Sequence, residues 1–180
     1  MRIYAHIAIA ALLAACAACL GCKGSRLAGL VDAEGVVTLN GSPVEGATVI
    51  FAPKTFGEKS ASATAVTDAT GKFKLTTSAP GDGAYPGDYM ISVSKDRTEG
   101  IMSFEESKRR AADPDGAGKE PVPEQSVVHE LPVKYGDINS SGLAVTIPEG
   151  GDKNITLTLE GEVDLTPHKI NATRGNGPGL

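Results

Sequence analysis

Gly35-Val36-Val37-Thr38-Leu39-Asn40-Gly41-Ser42-Pro43-Val44-Glu45-Gly46-Ala47-Thr48-Val49 is the stretch that decides the architecture of this chain. Val37 and Leu39 alternate with their neighbours at the period of two that marks a strand with one buried face. Asn40-Gly41 tolerates positive φ at both positions and predicts a hairpin turn. Ser42 to Gly46 leads into a second run, Ala47 to Pro53, with Val49 and Phe51 on one face and Thr48 and Ile50 on the other. Pro53 has no N–H to give to a ladder and ends that strand.

The same punctuation continues downstream. Ala61 to Thr67 alternates small residues, as suits a narrow or edge strand, and Asp68-Ala69-Thr70-Gly71 supplies the next turn. Phe73 and Leu75 then point inward. After the turn-rich segment Gly81 to Gly87, Tyr89, Ile91 and Val93 form another inward stripe. Strand pattern returns at Leu131 to Tyr135, at Leu143, Val145 and Ile147, and at Ile155, Leu157 and Leu159. Between these blocks, residues 96–130 hold 5 Lys plus Arg, 9 Asp plus Glu, 3 Pro and 3 Gly, too little apolar surface to order fully. Within them Ser103 and Glu106 have the spacing of a capping box, so a short surface helix is expected from Phe104 to Ala112.

Composition sets the outer limits. The chain has 180 residues with 41% hydrophobic and 22% charged side chains, 22 Gly, 11 Pro, no Trp and a net charge of -5. One modest domain fits that length. An acidic balance repels a phosphate backbone, so nucleic acid is not an expected partner. Cys16, Cys19 and Cys22 all lie near the start, which leaves the body without a disulfide or a thiolate zinc site.

Upstream, Arg2 is followed by an apolar stretch from Ile7 to Ala15, too short to span a bilayer as a helix, and then by small residues that give way to Lys23-Gly24-Ser25-Arg26. The segment resembles a bacterial lipoprotein signal, which implies cleavage before a Cys that carries acyl chains such as palmitate. The polar switch points to Cys22, with Cys16 as the alternative. The protein is therefore expected to be anchored to a membrane rather than to span it.

The motif wording resembles carboxypeptidase regulatory-like domains. The opening stretch, Thr67-Asp68-Ala69-Thr70-Gly71-Lys72-Phe73 and Pro86-Gly87-Asp88-Tyr89 match that family's three signatures in order and spacing. Leu131-Pro132-Val133-Lys134-Tyr135 with Ser141-Gly142-Leu143 further resembles bacterial lipoproteins carrying one such transthyretin-like domain. The period of two and the count of runs predict an all-β sandwich of seven antiparallel strands, and the resemblance implies that it is a Greek-key fold of the transthyretin (prealbumin) type, with a polar insertion that is partly helical or disordered. The expected layout is a signal peptide at 1–21, a tether at 22–34, the sandwich at 35–160 with its insertion at 96–130, and a flexible C-terminal tail at 161–180.

The residues do not match the enzymes of similar sandwich form. Hydroxyisourate hydrolases end in Tyr-Arg-Gly-Ser, whereas this chain ends Asn176-Gly177-Pro178-Gly179-Leu180. Intradiol dioxygenases bind iron through two tyrosines and a His-x-His pair; here only His129 and His168 remain after export, and each reads as a solvated loop histidine. There is no Gly-x-Ser-x-Gly elbow. Asp113-Pro114-Asp115-Gly116 lacks the later ligands of a calcium loop and reads as a turn, and Asp68 reads as a turn former. Asn139, Asn154 and Asn171 begin sequons that a bacterial lipoprotein would seldom use. A sugar platform would need exposed aromatics, for which Tyr85 and Tyr135, with Phe56, are the candidates.

The expectation is therefore an exported, non-enzymatic lipoprotein of the cell envelope, facing the periplasm or the cell surface. It would need no cofactor or metal and have no catalytic residues. Its module would serve a structural, adhesive or protein-binding role, with an envelope protein or polysaccharide as partner. A carbohydrate-binding module is the alternative, and a hydrolase or metal-dependent enzyme is third.

Overall fold

A computed structural model describes residues 27–57, 59–112 and 123–170. The expected signal peptide, Cys16, Cys22, the turn expected at Asp113 to Gly116 and the end of the tail lie outside them. The described chain is all-β apart from one short helix. In order it forms β1 (Ala33–Leu39), β2 (Ser42–Pro43), β3 (Thr48–Pro53), β4 (Ala63–Val66), β5 (Lys72–Lys74), β6 (Gly87–Ser94), β7 (Asp96–Glu99), α1 (Phe104–Ala112), β8 (Ser126–His129), a 3-10 turn (Val133–Tyr135), β9 (Leu143–Ile147), β10 (Asp152–Leu159) and β11 (His168–Lys169).

Local chemistry explains the main joints. Asn40 and Gly41 take φ of 50° and 82°, and Leu39 pairs with Ser42 across the turn they make. At the next hairpin the Asp68 carboxylate accepts from the Thr70 amide and hydroxyl, both at 2.7 Å, and from the Lys72 amide at 3.0 Å. Gly71 closes that turn at φ 75°. The Ser103 hydroxyl accepts from the Glu106 amide at 3.2 Å and starts α1 where the capping spacing places it.

Two four-stranded sheets share one core. The first has the order β10-β1-β2, with β5 also paired to β1; the second runs β4-β3-β6-β9. Ala33, Val37, Phe73, Ile155, Leu157 and Leu159 of the first sheet and Val49, Phe51, Tyr89, Ile91, Val93 and Ile147 of the second are buried in a single cluster. Alternation does the sorting, since successive side chains leave a strand on opposite faces. Tyr89 keeps its hydroxyl satisfied inside by donating to the Tyr85 carbonyl at 2.9 Å, and burial raises its phenol above the ordinary range.

The two facing sheets hold eight strands among the described residues, not seven, and β7, β8 and β11 lie outside them. The strands of the facing sheets are not all antiparallel, because β1 and β10 run parallel from Gly35↔Ile155 to Leu39↔Leu159. Side-chain period reports which face is buried and is silent on strand direction. Leu131 to Tyr135 is not a strand: Pro132 has no amide to pair, and its carbonyl instead accepts from Tyr135 N at 3.0 Å, closing the 3-10 turn.

The polar insertion and the start of the tail also contribute order. β7 and β8 pair antiparallel, β11 adds to β8, and the three make a small sheet of their own. Asn40 further ties the chain at Gly161 through two hydrogen bonds, at 3.0 and 3.2 Å. Among the described residues no helix is long and apolar enough to cross a membrane.

Candidate functional site

The small sheet projects from the end of β6 as an arm, and a cleft of about 240 Å³ opens at its root. Val93, Leu131 and Val133 give the cleft apolar walls, while Asp96, His129 and Asp137 bring polar groups to it. Each part is held from behind. The Tyr135 hydroxyl accepts from the Glu160 amide at 2.9 Å and donates to the Glu160 carbonyl at 3.2 Å, which pins the 3-10 turn to the end of β10. Asp137 closes the next loop by accepting from the Asn139 amide at 2.7 Å.

Register brings the ionisable groups together. Asp96 lies directly opposite His129, and Val127 lies opposite both Thr98 and His168. Residues opposite one another, and those two apart on one strand, share a face. Asp96, His129 and His168 therefore stand on the same side of the arm. Asp96 Oδ1 is 2.6 Å from His129 Nδ1, and the rings of His129 and His168 lie 5.5 Å apart between centroids with a 41° tilt. An ionised carboxylate only accepts, so the proton of this bond belongs to His129 Nδ1, and Nε2 is left as the basic nitrogen.

A second network of charges braces the arm. Glu130 accepts from Lys95 at 3.0 Å and Arg97 at 3.2 Å, and Arg97 also pairs with Glu99. Lys95 first and Arg97 second hold the Glu130 carboxyl below its usual range. Further along, the Asp164 carboxyl is lowered by hydrogen bonds from the Thr166 hydroxyl and amide, and to a lesser extent by His168. Two other depressions, of about 320 Å³ beside Gly35 and about 290 Å³ beside Pro86, lack any histidine.

The aromatic platform expected at Tyr85 and Tyr135 is corrected. Tyr85 is 8% exposed and Tyr135 6% exposed, so neither offers a ring face to a sugar. Tyr135 packs in the common core and spends its hydroxyl on Glu160. Phe56 is exposed but stands without them. Asp68 is the turn former expected of it.

The histidines were missed as a pair. Read as solvated loop residues, they lie in β8 and β11, which are too short to show a period. The one available signal was the placement of Asp96 and His129 at opposite ends of the insertion.

Comparison with known proteins adds little. A family model described as a domain of unknown function (DUF6795) matches residues 33–85, that is, β1 to the loop before β6. No curated protein and no solved structure matches the chain.

Proposed function

We propose that the chain is an exported, non-enzymatic lipoprotein of the cell envelope that presents a partner-binding module. In this reading acyl chains on Cys22 anchor it, and the two facing sheets are a transthyretin-like Greek-key sandwich of the carboxypeptidase regulatory-like kind. The carrying observation is the cleft at the root of the arm. Its apolar walls, its fixed Asp96–His129 pair and its open mouth suit capture of a short protein segment, since binding sites combine apolar lining with a few placed polar groups. Val133, 58% exposed at the cleft, is a large apolar side chain that water meets unless something covers it. The carbohydrate reading has lost the two tyrosines on which it rested.

Two measurements test this. Intact mass of detergent-extracted protein, with Cys22→Ala beside it, should show acyl mass that vanishes in the variant; an unmodified mature chain overturns the anchor. A photo-crosslinker at Val133 should join the chain to one envelope protein, with the joined peptide identified by mass spectrometry. The same label at Val66, exposed on β4, should not. Equal labelling from both positions, or none from Val133, overturns the cleft as the binding surface.

A further inference from the structure

We propose that His129 and His168 clamp a divalent late first-row ion, of the class Zn²⁺, Ni²⁺ or Cu²⁺, on the face of the arm that they share with Asp96, with Asp96 as the carboxylate that orients His129. The inference does not depend on the lipid anchor, but it shares Asp96 and His129 with the cleft, so an ion there and a partner segment would compete for that pair.

Distance is the first argument. Two imidazoles bound to one ion at about 2.0–2.1 Å through ring nitrogens have centroids roughly 5 to 6 Å apart at ordinary bond angles. The observed separation of 5.5 Å already falls in that range. Diagonal neighbours on one face of a sheet are within reach of each other's long side chains, and the register of β7, β8 and β11 sets this pair as such neighbours.

Preparation of the ligand atom is the second. Histidine ligands to metals commonly donate their other ring N–H to a carboxylate, which fixes the ring and strengthens its basic nitrogen. Asp96 accepts from His129 Nδ1 at 2.6 Å and leaves Nε2 for the ion. Among the described residues, neither ring nitrogen of His168 has a hydrogen-bond partner. His129 is 30% exposed at its side chain and His168 is exposed, so both can be reached from water. Imidazole suits this class of ion better than it suits calcium or magnesium.

Charge and completeness fix the kind of site. Asp96 touches His129, and Asp164 lies near enough to feel His168, so carboxylates offset the incoming positive charge. Among the described residues no group of three or more His, Cys, Asp or Glu is arranged to hold a metal. The described residues therefore supply two nitrogens, and water would complete the shell. Such an open site exchanges its ion, unlike the closed four-ligand sites that stabilise small folds. Binding would also tie β11 to β8, fastening a two-residue strand that otherwise depends on a short ladder.

The test uses the full chain in detergent with its thiols alkylated, so that the amino-terminal cysteines cannot bind. Equilibrium dialysis against Cu²⁺ or Zn²⁺ should give an ion whose binding weakens at least tenfold in His168→Ala and in His129→Ala. Asp96→Asn should weaken it by about 10- to 100-fold, as loss of an orienting carboxylate does. Acidification should release the ion, because the ligand nitrogens must be unprotonated. Electron paramagnetic resonance of the Cu²⁺ form should show two nitrogen ligands, and hydrogen exchange should slow at Ile170 N–H, which donates to Gln125 O beside β11. His168 is exposed, so an unchanged circular dichroism spectrum is expected for its variant and separates lost ligation from lost folding. Binding that survives His168→Ala, or no binding by the parent chain, overturns the proposal.

Discussion

Gly35 on β1 lies so close beneath Phe73 on β5 that a Cβ at position 35 would come within 2.7 Å of the ring and 2.3 Å of the Ile155 carbonyl oxygen. Those distances are below any real carbon contact, and the second obstacle is backbone of the neighbouring strand β10. Three strands therefore meet at a point where only hydrogen fits.

Gly35→Ala is expected to destabilise the protein by about 1–3 kcal/mol, the usual range for overpacking a tight core. Urea denaturation of the variant against the parent measures it. A loss below about 0.5 kcal/mol would mean that β1 and β10 can part without cost.

Tyr135→Phe removes the hydroxyl that both accepts from and donates to Glu160. The ring stays, so the expected loss is about 1–2 kcal/mol, from the amide and carbonyl left without their partner. Thermal unfolding should register it as a lower midpoint.

Asp82 controls part of the acid response. Burial favours its neutral form, but amide hydrogen bonds from Thr77, Ala79 and Ser78 outweigh that and hold the carboxyl below its ordinary value of 3.8. A group lowered on folding stabilises the native state above its unfolded value and loses that contribution as pH falls through the folded value. The parent should therefore weaken as pH drops below about 4. Asp82→Asn should be less stable than the parent at pH 7 and show a shallower decline below that pH. Chemical denaturation at pH 7, 4 and 3 decides it.

Glu106 sets the acid limit of α1. Arg109 first and Arg110 second pull its carboxyl down to about 2. By the same sign, its support for the helix is complete above the ordinary value of 4.5 and is lost as pH falls towards 2. Glu106→Gln should remove that pH dependence from the helical part of the circular dichroism spectrum while leaving the β signal in place.

Much of the two-sheet body was legible because each message was local. Val49 and Phe51 against Thr48 and Ile50 state a buried face. Asn40-Gly41 and Asp68 to Gly71 state turns, and Ser103 with Glu106 states a helix start. What escaped depended on partners far away in the chain. The parallel pairing of Gly35 with Ile155 joins strands from opposite ends of the two-sheet body. Tyr135 is buried in the core shared with distant strands, and its hydroxyl meets the backbone of Glu160. The meeting of His129 with His168 follows from ladder register between strands too short to carry a period.

Pairing of β7 with β8 closes the loop that contains α1 at its base. Chain-closure entropy rises only with the logarithm of length, so doubling such a loop costs about 0.6 kcal/mol. The span between Glu99 and Ser126 is thus a port: an epitope, a reporter peptide or a longer natural insert could be spliced there while the two main sheets kept their register.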